Sequence, residues 1–311
     1  MPLSPRLIIL LVLPPLMWAG NAVVGRMMVG SIGPIWLNTL RWVVALLLLL
    51  PFGWRVLATA EARAQVGARW KYLAVLGLIG VGAYNALQYT ALHTSTPLNV
   101  TLIASSSPVW ILLIGALAYG VRPARIQILG AALSLAGVAT VLSRGSPAAL
   151  LQIRLVEGDL LILVAIIGWS IYSWMLARPP ASMSGAARPK WDWAEFLLAQ
   201  VIFGVCWGLA AAGIGDLVAA PPPAQWSWSL VLAILFMAVG PSIIAYRAWG
   251  LAVEQAGPEM AAVFYNLTPL FAAVLSAAMI GEWPQGYHGI AFLLIVAGIL
   301  VSSRSQPRPG K

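Results

Sequence analysis

The sequence predicts an all-α integral membrane protein in which two related halves of five spans each are inverted around a central cavity. Three observations lead to this fold class. The 311 residues are 61% hydrophobic and 9% charged, whereas about a quarter of the residues of a soluble protein are charged. Ten apolar runs are long enough to cross a bilayer. Glycine and proline residues of the first half recur at a fixed spacing in the second half.

Each predicted span is a helix of about 20 mostly apolar residues, the length needed to cross roughly 30 Å of hydrocarbon. The first run follows Arg6, is longer than a signal-peptide core and shows no small-residue cleavage site, so we expect a retained helix. The segments near 53–70 and 178–193 are too short to hold a soluble domain with its own core. The ten predicted spans are residues 7–29, 34–52, 71–92, 95–118, 125–143, 158–177, 194–214, 227–252, 257–280 and 285–303.

Lysine and arginine are distributed unevenly between the two sides of the predicted spans. With a cytoplasmic N-terminus, thirteen of them fall in cytoplasmic segments and three, Arg26, Arg144 and Arg154, fall on the opposite side. This asymmetry predicts a multi-pass protein of the cell (inner) membrane with both termini in the cytoplasm. It also explains the net charge of +9 without nucleic acid as a partner. The sequence has one cysteine, Cys206, which excludes an internal disulfide and a multi-cysteine metal site.

The halves are related by an offset of 161 residues over a window of about 40 residues. Earlier in each half the offset is 151, which pairs Trp18 with Trp169. We therefore expect a first five-helix repeat at 1–145, a second at 155–305 and a short basic cytoplasmic tail at 306–311. Because five is odd, the second copy must enter the bilayer from the opposite side, an arrangement typical of secondary transporters. The pairs at offset 161 are Pro97 with Pro258, Pro108 with Pro269, Gly120 with Gly281, Pro123 with Pro284, and Gly137 with Gly298.

Aromatic and polar residues within the spans are the candidates for lining a midplane cavity. Trp18 and Asn21 share one face of the first span, and Trp169 and Tyr172 repeat the theme in the sixth. Both tryptophans lie mid-span, away from the interfaces where tryptophan usually anchors, so each indole N–H needs an internal partner. A cargo molecule is one candidate partner, and packing between helices is the alternative.

The third span carries an unusual density of polar groups at Tyr84, Asn85, Gln88 and Tyr89. We expect the amides to point inward, because an unpaired amide in hydrocarbon costs several kcal/mol. They are suited either to binding a cargo or to joining neighbouring helices by hydrogen bonds.

Proline interrupts the fourth and ninth spans at equivalent positions, Pro108 and Pro269. Proline frees a backbone carbonyl that nearby hydroxyls can satisfy, so these clusters are either repaired kinks or parts of a site. Paired interruptions at symmetric positions point to the midplane site of a transporter. We expect flexing points here and at Pro97 and Pro258. The polar and aromatic candidates beside the two interruptions are Ser107, Trp110, Tyr265 and Asn266.

Two arginines fall within predicted spans. Arg41 lies about seven residues from the outer end of the second span, and we expect it to reach towards headgroups. Arg247 lies between Tyr246 and Trp249 in the eighth span, where a guanidinium is suited to receiving a carboxylate. No Asp or Glu occupies the middle of a predicted span, so proton coupling has weak support. The sequence shows no phosphate loop, metal-ligand cluster or nucleophile–base pair, so we expect no cofactor, no metal and no enzyme.

Short motifs recur around the span ends of both halves. They are Tyr89-Thr90-Ala91-Leu92 through Pro97, Ser107-Pro108-Val109, Gly250-Leu251-Ala252 through Pro258, Leu267-Thr268-Pro269-Leu270 and Gly281-Glu282. These stretches resemble the EamA repeat of the drug/metabolite transporter superfamily, and the whole chain is most similar to YddG-type exporters of aromatic and other apolar amino acids. The first half departs from the pattern, because Val121-Arg122 stands where the second half has Glu282-Trp283.

The resemblance implies a cavity lined by spans one, three, four, six, eight and nine, and export of small apolar metabolites, including aromatic amino acids, by alternating access. It implies a small-molecule substrate and the lipid bilayer as partners, with a monomer as the working hypothesis. Carriers of other metabolites or cationic drugs in the same superfamily are the alternative, and a membrane-embedded enzyme is a remote one. The predicted substrate-binding residues are Trp18, Asn21, Tyr84, Gln88, Ser107, Trp110, Trp169, Tyr172, Tyr246, Arg247, Tyr265 and Asn266.

Overall fold

The computed structural model describes residues 4–28, 30–91, 94, 103–146, 148–149, 156–218, 223–280 and 285–303. Within these ranges the regular structure is helical and contains no strand. The predicted flexing point Pro97, the motif residue Glu282 and the predicted tail at 306–311 lie outside the described residues.

The described helices follow the two predicted halves. The first half contains α1 (Pro5–Met27), α2 (Pro34–Gly53), the short α3 (Arg55–Ala58) and α4 (Ala60–Ala68), then α5 (Trp70–Ala91), α6 (Ser107–Tyr119) and α7 (Arg125–Leu142). The second half contains α8 (Glu157–Ala177), α9 (Trp193–Val218), α10 (Trp228–Ala256), α11 (Pro258–Tyr265), α12 (Thr268–Ile280) and α13 (Gly286–Ser303).

Seven helical stretches of the described chain are long and apolar enough to cross a membrane, one of them formed by α11 and α12 together. The apolar helices α6, α7 and α13 are shorter. The protein is therefore an all-helical, multi-pass membrane protein. The count of ten crossings stays a prediction.

Observed helices begin and end close to the predicted spans, as α8 and α13 do for the predicted spans 158–177 and 285–303. Two predicted spans differ from the structure. The span at 95–118 is described from residue 103, and its helix begins at Ser107 after a turn at residues 105 and 106. The span at 257–280 is divided by a turn at residues 266 and 267.

The backbone irregularities of the two halves are equivalent. α5 and α10 each contain a π-helical segment, at Gly77–Ala83 and Ala238–Ile244, and these segments are 161 residues apart. The turn before α6, at residues 105 and 106, lies 161 residues before the turn that separates α11 from α12. The repeat seen in the sequence therefore extends to the places where the helices depart from α geometry, and such departures are frequent at functional sites.

Helix packing follows the same symmetry. Extensive interfaces join α7 with α13 and α2 with α9, which are equivalent elements of the two halves. α1 packs on α12 and on the last part of α10, while α8 packs on α6 and on the last part of α5. As a result, α1, α5, α8 and α10 meet around a common centre.

Glycines allow the equivalent helices to approach closely. A Cβ atom built on Gly298 of α13 would lie 2.6 Å from the carbonyl oxygen of Gly130 in α7. A Cβ atom on Gly53 of α2 would lie 2.8 Å from the carbonyl oxygen of Ala194 in α9. Small residues at such positions let membrane helices gain van der Waals contact where no hydrophobic driving force operates.

We predict that Gly298→Val destabilises the protein by about 1–3 kcal/mol, because the larger side chain overpacks the α7–α13 contact. Gly289→Val is the matched control in the same helix, since a Cβ there has no neighbour within 4 Å. The measurement is the thermal unfolding midpoint of purified protein in detergent. Equal midpoints for the two variants would contradict the packing described here.

The inverted arrangement requires an odd number of crossings in the first half, so Ser4 and Ser146 must lie on opposite faces of the membrane. In a Cys206→Ser background, we expect a membrane-impermeant maleimide to label Ser146→Cys in intact cells. Labelling of Ser4→Cys should require permeabilised cells, because the positive-inside asymmetry predicts a cytoplasmic N-terminus. Labelling of both positions from the same side would overturn the inversion.

Candidate functional site

A cavity of about 100 Å³ lies where the two halves meet. Its aromatic wall consists of Trp18, Tyr84, Trp169, Tyr246 and Tyr265. Its polar lining consists of Asn21, Asn85, Gln88, Ser105 and Thr268. Alanines and Pro269 complete the lining. The cavity is thus mostly apolar with a few polar groups, the usual composition of a small-molecule site.

The two tryptophans paired by the sequence repeat contact each other across the halves. The ring centroids of Trp18 and Trp169 are 5.1 Å apart and their planes are nearly perpendicular. Trp18 also lies 5.3 Å from Trp249 and 5.7 Å from Tyr265, measured between ring centroids. Edge-to-face and tilted contacts of this kind are the preferred aromatic geometries. They hold the aromatic wall in one arrangement.

A hydrogen bond between two tyrosines also crosses from one half to the other. The hydroxyl groups of Tyr84 in α5 and Tyr265 in α11 are 2.9 Å apart. Both side chains are buried. This bond closes one side of the cavity.

The π-helical segments offer backbone carbonyls to the aromatic wall. The Trp18 indole donates to the Pro241 carbonyl oxygen at 3.2 Å, and the Tyr246 hydroxyl donates to the Gly80 carbonyl oxygen. Gly80 and Pro241 are equivalent positions, 161 residues apart. The indole N–H of Trp169, the counterpart of Trp18, is buried and has no acceptor among the described residues. By the repeat symmetry, Trp169 would donate to the Gly80 carbonyl oxygen as Trp18 donates to that of Pro241. The Tyr246 hydroxyl donates to the Gly80 carbonyl oxygen instead.

A polar layer borders the cavity on the side of α2. Arg41 is 1% exposed, and its guanidinium donates to the amide oxygen of Asn21 at 2.9 Å. The Asn21 amide nitrogen donates to Asn85 at 3.3 Å and to the Tyr89 hydroxyl at 3.2 Å. The expectation that Arg41 reaches towards headgroups is therefore wrong. Its guanidinium lies inside the protein, beside a residue that lines the cavity.

A model of the EamA-like transporter family matches residues 5–143 and 156–304. The chain belongs to the EamA-like transporter family. This match confirms the resemblance to the drug/metabolite transporter superfamily that the sequence motifs indicated. It shows that the protein is a transporter of the EamA type.

Curated relatives of this EamA-like transporter are about 25% identical. They include an uncharacterised transporter of Archaeoglobus fulgidus, 25% identical over 96% of this chain and 97% of the relative. The aromatic amino acid exporter YddG of Ancylobacter novellus is 25% identical over 74% of this chain and 75% of its own. A probable terminal-alkyne amino-acid exporter of Streptantibioticus cattleyicolor is 25% identical over 75% of this chain and 72% of its own.

A solved crystal structure shares the fold of this EamA-like chain. It matches with a TM-score of 0.72 over 95% of this chain and 96% of its own, at 22% identity.

Seven of the predicted substrate-binding residues line the cavity of this EamA-like transporter, and Pro269 lines it as well. The seven are Trp18, Asn21, Tyr84, Gln88, Trp169, Tyr246 and Tyr265. The prolines Pro108, Pro258 and Pro269 lie in the first turns of α6, α11 and α12, so they begin helices rather than bend them internally. Whether these positions flex stays a prediction.

Arg247 and Tyr172 lie outside the cavity lining. Arg247 is partly buried, with its guanidinium carbon 5.4 Å from the ring centroid of Trp193. Successive helical residues are rotated by about 100°, so a helix that turns Tyr246 to the centre turns Arg247 away from it. Tyr172 stacks behind Trp169 at a centroid distance of 5.0 Å.

Three further predicted residues also lie outside the cavity lining. The Trp110 indole donates to Ser106 at 3.0 Å, and the Asn266 amide donates to Ser134 of α7 at 3.0 Å. Ser107 is fully buried in the first turn of α6. In this conformation Trp110 bonds within its own helical turn and Asn266 joins α7, while neither lines the cavity.

The predicted site set omitted the lining residues Asn85, Ser105 and Thr268, and it omitted Arg41 and Trp249, which contact lining residues. The repeat would have indicated two of them, because the offset of 161 residues pairs Asn85 with Tyr246 and Gln88 with Trp249. Arg41 had no such signal, since hydropathy fixes its depth in the span but not the direction of its side chain.

We predict that the Tyr84–Tyr265 hydrogen bond contributes about 1 kcal/mol to the stability of this conformation. Tyr84→Phe and Tyr265→Phe should each lower the thermal midpoint, and the double variant should lower it no further than one of them does. Tyr287→Phe, outside the cavity lining, is the control. Additive losses in this double-mutant cycle would show that the two hydroxyls do not interact.

Proposed function

We propose that the protein exports small apolar metabolites, with amino acids that include aromatic ones as the leading cargo, by alternating access. The observation that carries the proposal is the aromatic cavity between the two halves. Tryptophan and tyrosine rings offer faces and edges on which an apolar or aromatic side chain can pack. The neighbouring amides and hydroxyls are suited to orienting the polar end of the cargo.

Two curated relatives support this cargo class. Their names describe exporters of aromatic amino acids and of terminal-alkyne amino acids. Both cargoes combine an amino-acid head group with an apolar side chain, and the cavity described here provides both kinds of surface.

The charge around the cavity favours this cargo over cationic drugs. Among the described lining residues there is no Asp or Glu that would attract a cation. The guanidinium of Arg41 lies directly behind Asn21 and would repel one. Sugar phosphates and nucleotide sugars call for more than one cavity lysine or arginine, and the described lining contains neither.

The size of the cavity indicates how the transport cycle must proceed. At about 100 Å³ it is smaller than the roughly 300–1,000 Å³ typical of small-molecule sites. Cargo entry therefore requires the halves to move apart at the centre. The Tyr84–Tyr265 hydrogen bond and the Trp18–Trp169 contact join the halves there, so they are expected to separate in the cargo-loaded state.

The orientation of the protein is part of the proposal. We place both termini on the cytoplasmic side of the cell (inner) membrane, and we assign residues 1–145 and 155–305 as the two repeats. The opposite face then receives the exported cargo.

We predict that Trp169→Ala lowers efflux of L-tryptophan or L-phenylalanine from loaded proteoliposomes by about tenfold or more. The cargo then loses several aromatic contacts, which are worth about 1 kcal/mol each. Trp169→Phe should retain most of the activity, since it preserves a ring at that position. Trp228→Ala is the matched control, because Trp228 is 82% exposed.

Unchanged efflux in a folded Trp169→Ala protein would remove this residue from the cargo site. If the wild-type protein moved none of the aromatic or aliphatic amino acids in a counterflow panel, the proposed cargo class would be wrong.

A further inference from the structure

Buried polar atoms near Arg41 lack hydrogen-bond partners among the described residues, and one of them is an acceptor, the amide oxygen of Asn38 in the same helix. Three buried N–H groups have no acceptor among the described residues: Arg41 Nε, Trp42 Nε1 and Trp169 Nε1. Buried polar groups are almost always paired in folded proteins. A cluster of unpaired donors beside a cavity therefore indicates that a ligand with acceptor atoms belongs there.

Two of the three donors belong to rings that contact Tyr246, and the third lies beside one of those rings. The Tyr246 ring centroid is 5.0 Å from that of Trp42 and 5.6 Å from that of Trp169. The guanidinium carbon of Arg41 is 5.2 Å from the ring centroid of Trp42. Since Tyr246 lines the cavity, the unpaired donors lie close to the cavity.

Arg41 is a buried cation without an anionic partner among the described residues. It is hydrogen-bonded to Asn21 of α1, which is bonded in turn to Asn85 and Tyr89 of α5, and α1, α2 and α5 contain no Asp or Glu. Of the five N–H donors of its guanidinium, the hydrogen bonds within the described chain account for one, to the neutral amide oxygen of Asn21. A charge inside a membrane protein is costly unless a counter-charge balances it.

We propose that Arg41 binds the carboxylate of the transported molecule and so orients it in the cavity. In the conformation described here the Asn21 amide oxygen accepts a hydrogen bond from the guanidinium. When the halves move apart, a cargo carboxylate replaces this oxygen and takes two of the guanidinium donors, the bidentate geometry that arginine favours. The aromatic wall then receives the side chain of the same molecule.

This inference rests on the proposed function and refines it. It assigns the recognition of an anionic head group to Arg41 rather than to Arg247, whose guanidinium packs on Trp193 outside the cavity lining. It also explains why a buried arginine lies next to a wall that is otherwise aromatic and neutral. The cargo class it predicts is monocarboxylates with an apolar side chain, zwitterionic amino acids included.

The test compares L-tryptophan with L-tryptophanamide, which lacks the carboxylate, in proteoliposome counterflow. The wild-type protein should prefer the acid over the amide by about tenfold or more, the usual worth of a charge-assisted hydrogen bond. Arg41→Gln should remove this preference by slowing transport of the acid without slowing that of the amide. Arg55→Gln, at an exposed position, is the control and should keep the wild-type ratio.

A second pair of variants keeps the test decisive if Arg41→Gln folds poorly. Arg41→Lys retains the charge and should retain a preference for the acid. Asn21→Asp places a carboxylate on the guanidinium from within the protein. It should lower acid transport about tenfold and raise the thermal midpoint, because the buried cation gains a counter-charge.

The outcomes separate the two proposals. If the wild-type protein transports no amino acid of the counterflow panel, the proposed function fails and this inference fails with it. If the wild-type protein transports acid and amide equally, the proposed function stands and the carboxylate site is wrong. A preference for the acid that survives in folded Arg41→Gln or Asn21→Asp overturns the role of Arg41. A preference lost in Arg247→Gln alone assigns the carboxylate to Arg247.

Discussion

Hydrocarbon offers no hydrogen bonds, so every backbone carbonyl released by an irregular helix must find a donor inside the protein. In this transporter the two π-helical segments present equivalent carbonyls, at Gly80 and Pro241, and the donors come from the opposite half. Those donors, Tyr246 and Trp18, are also walls of the cavity. One set of aromatic side chains therefore satisfies the irregular backbone, joins the two halves and shapes the central space. The fold and the candidate site depend on the same hydrogen bonds.

The two halves share their backbone geometry but not their side-chain chemistry. Trp18 and Trp169 are counterparts, yet the Trp18 indole meets a carbonyl and the Trp169 indole meets none among the described residues. The charge is likewise one-sided, because Arg41 and its amide partners come from the first half. A symmetric scaffold with one-sided polarity is suited to distinguishing the two ends of a cargo molecule. The repeat forms the cavity, and differences between the halves at single positions make its two sides chemically distinct.

The sequence predicted much of this architecture and only part of the site, for physical reasons. Hydropathy and the position of glycine and proline determine where a span begins and ends, so α8 and α13 match their predicted bounds. The direction of a side chain around the helix axis depends on tertiary packing, which composition does not reveal. Arg247 was therefore predicted to bind the cargo and Arg41 to reach towards headgroups. In the structure Arg247 packs on Trp193, and Arg41 is buried.

The glycine contacts between α7 and α13 and between α2 and α9 constrain how the molecule can work. In each contact the backbones approach so closely that a single methyl group would collide with a carbonyl oxygen. Densely packed surfaces of this kind resist sliding and have few alternative arrangements. These four helices therefore act as a stiff outer frame that fastens one repeat to the other on two sides. In the proposed transport cycle the motion that admits and releases cargo is therefore left to the inner helices, while the outer frame keeps its shape.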